Sequence, residues 1–389
     1  MKRVISVALL GATTSLMALG GEQAYLYKDP RVMGMGGANV AVGAYSSSVF
    51  SNPAGLTNIK KTDGFVVDLL SVGASLSSKT LVFVDDIDAA GNDAAKITDV
   101  INKYSGDAFT VAANNYSSIS KNSDAFAWSF GILAATDASF TVHGNGTGNG
   151  APIEAAGRVY GGVVLGFAVP YETEIGTLDV GMGLKYVTQN SYEGPLYIAD
   201  LQADNALTKL QNKYEKTSSG FGVDIGLTYK PFNDNYWHPA FGLSVLNLGS
   251  MSMDDNYGGQ PTTVNLGMSI TPDVSFMNKL VLAVDYVDLL DENVIRVYDF
   301  SNANAIAYTD YKDSDPMKRL RLGLGMGLID TSYFALTLNG GMYQSAYTAG
   351  LEMDVLLFKM TAATYQEQIG TGSVDIPDRR YMAQIAIGW

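Results

Sequence analysis

RVMGMGGANVAVGAYSSSVFSNPAGL, residues 31–56, is rich in glycine and other small residues and carries one charge, Arg31. Gly34, Gly36 and Gly37 permit positive φ angles and a close approach to another chain. Asn52 followed by Pro53 predicts a short helical turn, because Asn52 can cap free N–H groups and Pro53 at the first helical position loses no hydrogen bond. The segment could pack inside a narrow space, although an ordinary loop with a capped turn has the same composition.

The order of these residues resembles the N-terminal hatch of the FadL/TodX outer-membrane family. Two runs carry the resemblance, GMGGA at 34–38 and FSNPAGL at 50–56. Within this family the segment resembles the PorV-like and TraF-like (conjugal transfer protein TraF) branches more than the fatty-acid transporters. The resemblance implies a fourteen-stranded barrel plugged by the hatch, with Asn52, Pro53 and Ala54 as the recurring triplet of the hatch.

Length and composition agree with a barrel. The chain has 389 residues, which suits either two or three soluble domains or one large barrel. Charged residues make up only 16%, below the roughly 25% of soluble proteins, while there are 42 glycines and 23 tyrosines. A net charge of −14 excludes nucleic acid as a partner. The lack of cysteine excludes disulfides and thiolate metal sites.

The first residues predict export. Lys2 and Arg3 precede an apolar run at 4–19, which is shorter than the ~20 residues of a membrane-spanning helix, so residues 1–20 read as a secretory signal peptide. The sequence allows signal-peptide cleavage either after Gly20 or after Ala24. Since no later stretch is long and apolar enough for a spanning helix, a membrane-crossing mature chain has to be a closed barrel.

From about residue 64 onward, apolar residues alternate with polar or small ones. In 219–229 one face carries Phe221, Val223, Ile225, Leu227 and Tyr229. Some thirteen to fifteen such segments of about 10 residues predict an all-β, antiparallel transmembrane barrel of about 14 strands over residues 61–389, with residues 21–60 as the hatch in its lumen. A soluble β-sandwich is the alternative, and the runs 80–84 and 294–300 can be counted as strands or not.

The face opposite the apolar one is unusually rich in glycine. Glycine weakens a strand unless another backbone must come close, and a hatch in the lumen would supply that backbone. The glycines of this class are Gly162, Gly166, Gly181, Gly183, Gly220, Gly222, Gly226, Gly267, Gly323, Gly325 and Gly327.

The same face carries ten charges that we expect to face the lumen. Five are positive and five negative, so the predicted lumen is near neutral and suits ion pairs and hatch anchoring better than selection of a charged solute. The alternative for each single charge is that it only keeps a water-filled interior hydrated. They are Arg158, Lys185, Arg319, Arg321 and Arg380, and Asp179, Asp224, Asp285, Glu352 and Asp354.

The chain ends on an alternating segment whose last residue is Trp389. Tyr381, Ile385, Ile387 and Trp389 fall on its outward face. This pattern resembles the C-terminal signal by which the barrel-assembly machinery recognises outer-membrane barrels. We expect the other tryptophans, Trp128 and Trp237, to lie with Trp389 in the aromatic girdles at the membrane interfaces.

Two stretches interrupt the alternation. Residues 85–104 and 198–214 place apolar residues at helical spacing and predict two amphipathic helices in long loops. Such loops lie on the outer side of barrels of this type. The helices could cover the mouth, dock a partner or pack onto the rim.

Catalytic motifs are scarce. His143 and His238 are the only histidines, no G-x-S-x-G elbow is present, and GNGTGNG at 144–150 lacks the strand–helix context of a phosphate-binding loop. We therefore expect no enzymatic activity, no metal site and no cofactor.

Two functions of different class remain. The resemblance implies either passage of hydrophobic small molecules, or a structural role in a secretion or conjugation apparatus. An apolar lumen would favour transport, whereas one filled by ion pairs and hatch would favour the structural role. We expect the outer membrane, with its lipid, as the location in both cases.

Overall fold

The computed structural model of the protein describes residues 25–123, 125–143, 153–197, 212–232, 235–255, 257–298, 308–312, 315–369 and 376–389. The predicted signal peptide, the glycine-rich run 144–150 and most of the second predicted helix, residues 198–211, lie outside these ranges. Fourteen antiparallel strands form one closed barrel, which confirms the predicted fold class.

The strands follow the alternating segments, and each wall strand pairs with its neighbours in chain order, apart from the hairpin β10–β11, which stands outside the wall in the β9–β12 loop. The strands are β1 Phe65–Ser77, β2 Ala108–Asn122, β3 Ala127–Val142, β4 Ile153–Thr173, β5 Gly176–Leu196, β6 Lys216–Pro231, β7 Ala240–Leu246, β8 Thr263–Ile270, β9 Lys279–Tyr286, β10 Val294–Tyr298, β11 Tyr308–Lys312, β12 Leu320–Asp330, β13 Phe334–Tyr343, β14 Ala346–Val355, β15 Phe358–Gln368 and β16 Pro377–Gly388.

The first and last strands close the barrel. The backbones of Val67 and Trp389 exchange two hydrogen bonds of 2.9 and 3.1 Å, and β1 pairs with both β16 and β2. No edge strand is left in the wall as a result. We call this end of the barrel, where the β2–β3, β4–β5, β6–β7, β8–β9, β12–β13 and β14–β15 connections lie, the turn end. The opposite end, which also carries the short β13–β14 turn, is the loop end.

The outer face of the wall carries an exposed apolar band. On β4 the exposed large side chains run from Val159 to Tyr171. At ~3.3 Å per residue and a tilt of about 45°, this stretch is roughly 28 Å high, close to the thickness of a bilayer core. Trp128, Trp237 and Trp389 all lie at the turn end, where Trp128 packs edge-on against Phe65 at 6.2 Å between centroids.

Above this band, two helices cover the outer face of β2–β5. They are α2, Thr80–Ala90, and α3, Ala94–Lys103; a first helix, α1, Pro30–Gly34, precedes the wall. Phe83 stacks on Phe109 at 4.3 Å, and Ile97 and Ile101 are buried in the same cluster. Hydrogen bonds from Lys103 and Tyr104 hold the pKa of Asp86 below its usual value and tie the two helices together.

The structure decides one local alternative here and corrects one prediction. Residues 80–84 are helical, with Phe83 buried against Phe109 on β2 while Leu81 and Val82 are exposed. The predicted helix 85–104 is two helices separated at Gly91, which has φ 60°. No helix among the described residues is long and apolar enough to cross a membrane.

Candidate functional site

Residues 25–60, the N-terminal segment, lie against the inner side of the wall. Thr348 on β14 donates a 2.8 Å hydrogen bond to the carbonyl of Gly34, the last residue of α1. Further along, Ser269 on β8 donates to the carbonyl of Ala41 at 3.2 Å. Asn122 on β2 donates to the carbonyls of Thr57 and Ile59, both at 2.7 Å. The segment therefore passes around the lumen and leaves it at the turn end, where β1 begins.

Glycines make this close packing possible on both sides. Gly36 and Gly37 have φ of 67° and 76°, and a Cβ on Gly36 would overlap the carbonyl of Leu322. On the wall, a Cβ on Gly226 would overlap Asn52 Oδ1, and one on Gly181 would overlap the backbone of Ala54. Side chains at these positions would push the segment away from the wall.

The wall glycines singled out from the sequence fall into two groups. Those that meet the N-terminal segment are Gly166, Gly181, Gly226, Gly267, Gly323 and Gly325. The others face wall residues or the β7–β8 loop, and they are Gly162, Gly183, Gly220, Gly222 and Gly327.

Asn52 is fully buried and has two functions in the packing. Its Oδ1 accepts from the N–H of Ala54 at 3.0 Å and caps the 3₁₀ helix Pro53–Asn58. Its Nδ2 donates to the carbonyl of Val40 at 2.6 Å and to that of Leu227 at 3.1 Å. One side chain thus fixes the turn, the preceding loop and the wall relative to one another.

Asp285 on β9 holds the middle of the segment. Its Oδ2 accepts from the backbone N–H groups of Asn39 at 2.7 Å and of Val40 at 2.8 Å, and the side chain is completely buried. Arg321 on β12 lies directly opposite Asp285 in the strand pairing and places its guanidinium 4.0 Å from the ring centroid of Tyr343.

The beginning of the segment is held by charges. Arg31 donates to Asp29 from two nitrogens, at 2.9 and 2.6 Å, and Ser47 also donates to Asp29 at 2.5 Å. Lys28 and Arg380 both pair with Glu367 on β15. The loop-end part of the lumen is therefore occupied by a network of buried ion pairs.

The remaining predicted lumen charges are also on inward positions, with one exception. Lys185 pairs with Asp224 at 2.9 Å, and Asp179 with Lys230 at 2.6 Å. Glu352 accepts from Asn339 at 2.6 Å, Arg158 pairs with Asp137 at 2.8 Å, and Asp354 is half-buried opposite Lys359.

Arg319 is the exception in position. It lies one residue before β12 begins, and it pairs with Asp291 at 3.1 Å. Its carbonyl accepts a 3.1 Å hydrogen bond from the N–H of Val287, so the pairing of β12 with β9 continues to this residue.

Sequence reasoning missed several partner charges, among them Asp137, Glu367 and Asp378. Asp378 lies on the same face of β16 as Arg380, so extending that alternation toward the start of the strand would have found it. Asp137 lies on β3 and Glu367 on β15, two strands on which no lumen charge had been identified.

An apolar column lies between the segment and strands β2–β5. At its centre the rings of Tyr27, Phe50 and Tyr116 lie with centroids 4.9 to 5.4 Å apart. The column extends from Ile59 at the turn end to Met251 and Met253 in the β7–β8 loop. Its larger members are Leu26, Tyr27, Val49, Phe50, Leu56, Ile59, Tyr116, Leu133, Tyr160, Val164, Val187, Met251 and Met253.

A cavity of about 40 Å³ lies between the N-terminal segment and Arg321 and Tyr343. Such a volume holds a few waters at most, whereas a cavity of about 150 Å³ is known to take up benzene. Within the described ranges, no group of three or more acidic or histidine side chains could hold a metal ion.

No protein-family model matches this sequence, and no curated protein matches it by sequence. Solved structures do match over nearly the whole chain. The Pseudomonas putida toluene transporter TodX is similar with a TM-score of 0.52 at 12% identity, over 96% of this chain and 99% of that chain. The TodX deltaS2S3 mutant monoaromatic hydrocarbon channel gives a TM-score of 0.53 at 11% identity, over 93% and 98%.

The CymD monoaromatic hydrocarbon channel gives a TM-score of 0.50 at 12% identity, over 95% of this chain and 97% of that chain. At such identities the likeness shows that the chain has the fold of these channels. The ligands of those proteins are not thereby assigned to this one.

Proposed function

We propose that the protein is an outer-membrane barrel that passes hydrophobic small molecules through a lumen plugged by the N-terminal segment. The apolar column carries this proposal, since it follows the boundary between segment and wall along which a path would open. The shared fold with barrels described as a toluene transporter and hydrocarbon channels supports the same substrate class.

Opening requires movement of the segment, because the remaining cavity is too small for such a molecule. A ligand that binds better beside a displaced segment shifts the equilibrium toward the open state. Each CH₂ group transferred from water into the column contributes about 0.8 kcal/mol. The positive-φ residues Gly36 and Gly37 are suitable hinges, and the polar anchors at Asp285 and Asn52 oppose the movement.

The test is uptake of a panel of fatty acids, alkanes and aromatic hydrocarbons by cells with and without the gene, at equal growth rate. We expect slower uptake of at least one compound in the deleted strain, restored by the intact gene. Unchanged uptake of every compound would contradict the transport proposal.

A structural role in a secretion or conjugation apparatus, as in PorV-like or TraF-like proteins, is the second candidate. One observation favours it: buried ion pairs and the N-terminal segment lie inside the lumen. In this case the same deletion would abolish secretion or conjugation and leave uptake unchanged.

The remaining assignments belong to the proposal as well. Residues 1–20 are a signal peptide, residues 21–60 the plug and residues 61–389 the membrane barrel, inserted by the barrel-assembly machinery. The apolar band on the outer face then contacts outer-membrane lipid.

A further inference from the structure

The loop that joins β7 to β8, residues 247–262 and described except at residue 256, folds back into the lumen. Met251 and Gln260 exchange two backbone hydrogen bonds of 2.8 and 2.7 Å, so the tip of the loop is a narrow hairpin. Both methionines of this loop, Met251 and Met253, are only 1% exposed. They are the loop-end members of the apolar column.

The wall leaves room for this loop beside β6. β6 pairs with β5 down to Lys216, but with β7 only between Ile225 and Tyr229. Among the described residues, the loop-end part of β6 therefore has no paired residue in β7, although the carbonyl of Val223 accepts from the N–H of Leu248 in the loop at 2.7 Å. The inward positions of this part include Gly220 and Gly222. A Cβ on Gly220 would overlap Met251 Cγ, so the Met251 side chain packs directly on the backbone of Gly220.

The base and the tip of the loop are held differently. At the base, the N–H of Asn247 donates to Asp224 at 2.7 Å, and Lys185 donates to Asn247 Oδ1 at 2.7 Å. At the tip, Gln189 donates to the carbonyl of Tyr257 at 2.5 Å and Arg158 to that of Gly258 at 3.0 Å. Asp224 and Lys185 thus hold the base, whereas the charged Arg158 on β4 and the neutral Gln189 on β5 donate to the tip.

The backbone between base and tip is strained. Ser250, Met253 and Asp254 have φ of 61°, 50° and 54°, in the left-handed region that side-chain-bearing residues rarely adopt. Such conformations persist where the surrounding contacts impose them. Loss of the tip contacts would allow these residues to relax, and the loop would swing away from β6.

We propose that the β7–β8 loop is a second gate, at the loop end of the lumen, and that an apolar molecule must displace Met251 and Met253 to enter the apolar column. This inference rests on the proposed transport function for its substrate class, but the opening of the loop can be measured without it. The thioether side chains are flexible and polarisable, so the gate suits apolar molecules of varied shape.

Thiol labelling tests the opening. The chain has no cysteine, so Met253→Cys introduces a single thiol that a membrane-impermeant maleimide can reach in intact cells only when the loop opens. We expect Gln189→Ala to raise its labelling rate about three- to tenfold, as loss of one hydrogen bond implies. Thr188→Ala, the neighbouring outward residue, is the matched control and should leave the rate unchanged.

Leu248→Cys, at a position that is 49% exposed, gives the reference labelling rate of a thiol that the maleimide reaches without any opening of the loop. If Met253→Cys is labelled as fast as Leu248→Cys, or if Gln189→Ala leaves its rate unchanged, the loop is not a gate held by Gln189.

A disulfide tests the role in transport. Gly220→Cys with Met251→Cys brings two Cβ atoms within the distance that a disulfide spans. Uptake should be blocked when the pair is oxidised and recover on reduction, while Met251→Cys alone should not respond to reductant. Equal uptake by the oxidised and the reduced double variant would overturn the gate proposal. Lack of uptake by the unmodified protein would overturn the transport proposal, but it would not change the conclusion from thiol labelling.

Discussion

Asp285 Oδ2 accepts a 2.8 Å hydrogen bond from the backbone N–H of Val40, and the two residues are separated by 245 positions in the sequence. Their contact joins strand β9 to the middle of the N-terminal segment inside the barrel. A carboxylate that accepts backbone N–H groups in a completely buried place is difficult to replace, because each donor left without an acceptor costs about 1–3 kcal/mol.

Asp285→Ala should therefore loosen the segment without opening the wall. We expect more frequent current steps in planar bilayers and faster proteolysis within residues 31–56. Asp330→Ala is the matched control, because Asp330 pairs with Lys60 of the same segment at an exposed site, where an ion pair contributes little. Equal behaviour of the two variants would mean that Asp285 is not an anchor.

Asn52→Ala should weaken the capped turn by about 1 kcal/mol. Loss of the cap exposes the amides of residues 54–58 more often, so we expect hydrogen exchange there to be about fivefold faster. Asn52→Asp keeps the capping oxygen and loses the donor to Val40 and Leu227, which separates the two functions of the side chain. Exchange that is unchanged in Asn52→Ala would rule out the capping role.

Gly341→Val should displace α1 from the wall, since a Cβ at this position would overlap the carbonyl of Leu322 and lie 2.9 Å from Gly36 N. We expect lower thermal stability of the barrel and a changed conductance. At the next residue, a Cβ on Gly340 would meet nothing closer than 3.9 Å, so Gly340→Val is the control. The prediction is wrong if both variants melt at the temperature of the unmodified protein.

Deletion of residues 31–56 should raise the conductance of the purified protein, because these residues occupy the lumen between β4–β8 and β12–β16. The deleted barrel must first be shown to be folded by its heat-dependent migration on a gel. A folded deletion variant with unchanged conductance would place the resistance to ion flow elsewhere, and the β7–β8 loop would then be the first place to examine.

Removal of Trp389 should impair assembly more than substitution of a turn aromatic. Trp389 closes the wall through its hydrogen bonds with Val67, whereas Phe276→Ala changes a side chain that is 76% exposed in a short turn. Membrane fractions should contain less of the heat-modifiable form when Trp389 is deleted. Recovery of the intact protein as a soluble periplasmic species would contradict the membrane assignment altogether.

Much of the wall could be predicted from the chain because alternation is a local property. Because one side of each strand faces lipid, apolar residues must recur at every second position. The segments around Phe221 or Leu282 could therefore each be recognised as a strand without the others. The capped turn at Asn52 was equally local, since the capping oxygen of Asn52 and its donor, the N–H of Ala54, are two residues apart.

The helical start at Thr80 was not predictable in this way. Its short apolar run fits a strand or a helix, and contact with Phe109 on β2 decides between them. Residues 294–298 form a strand as their pattern allows, yet they pair with β11 outside the wall.

The sequence by itself determined that the chain forms an antiparallel barrel with a thin, glycine-rich segment ahead of it, because period-two hydrophobicity and small residues act over a few neighbouring positions. Only the tertiary structure decided which groups meet in the lumen: Asp285 with Val40, Lys28 with Glu367, and the methionines of the β7–β8 loop with the apolar column. These contacts join residues far apart in the chain, and closure of the barrel brings them together.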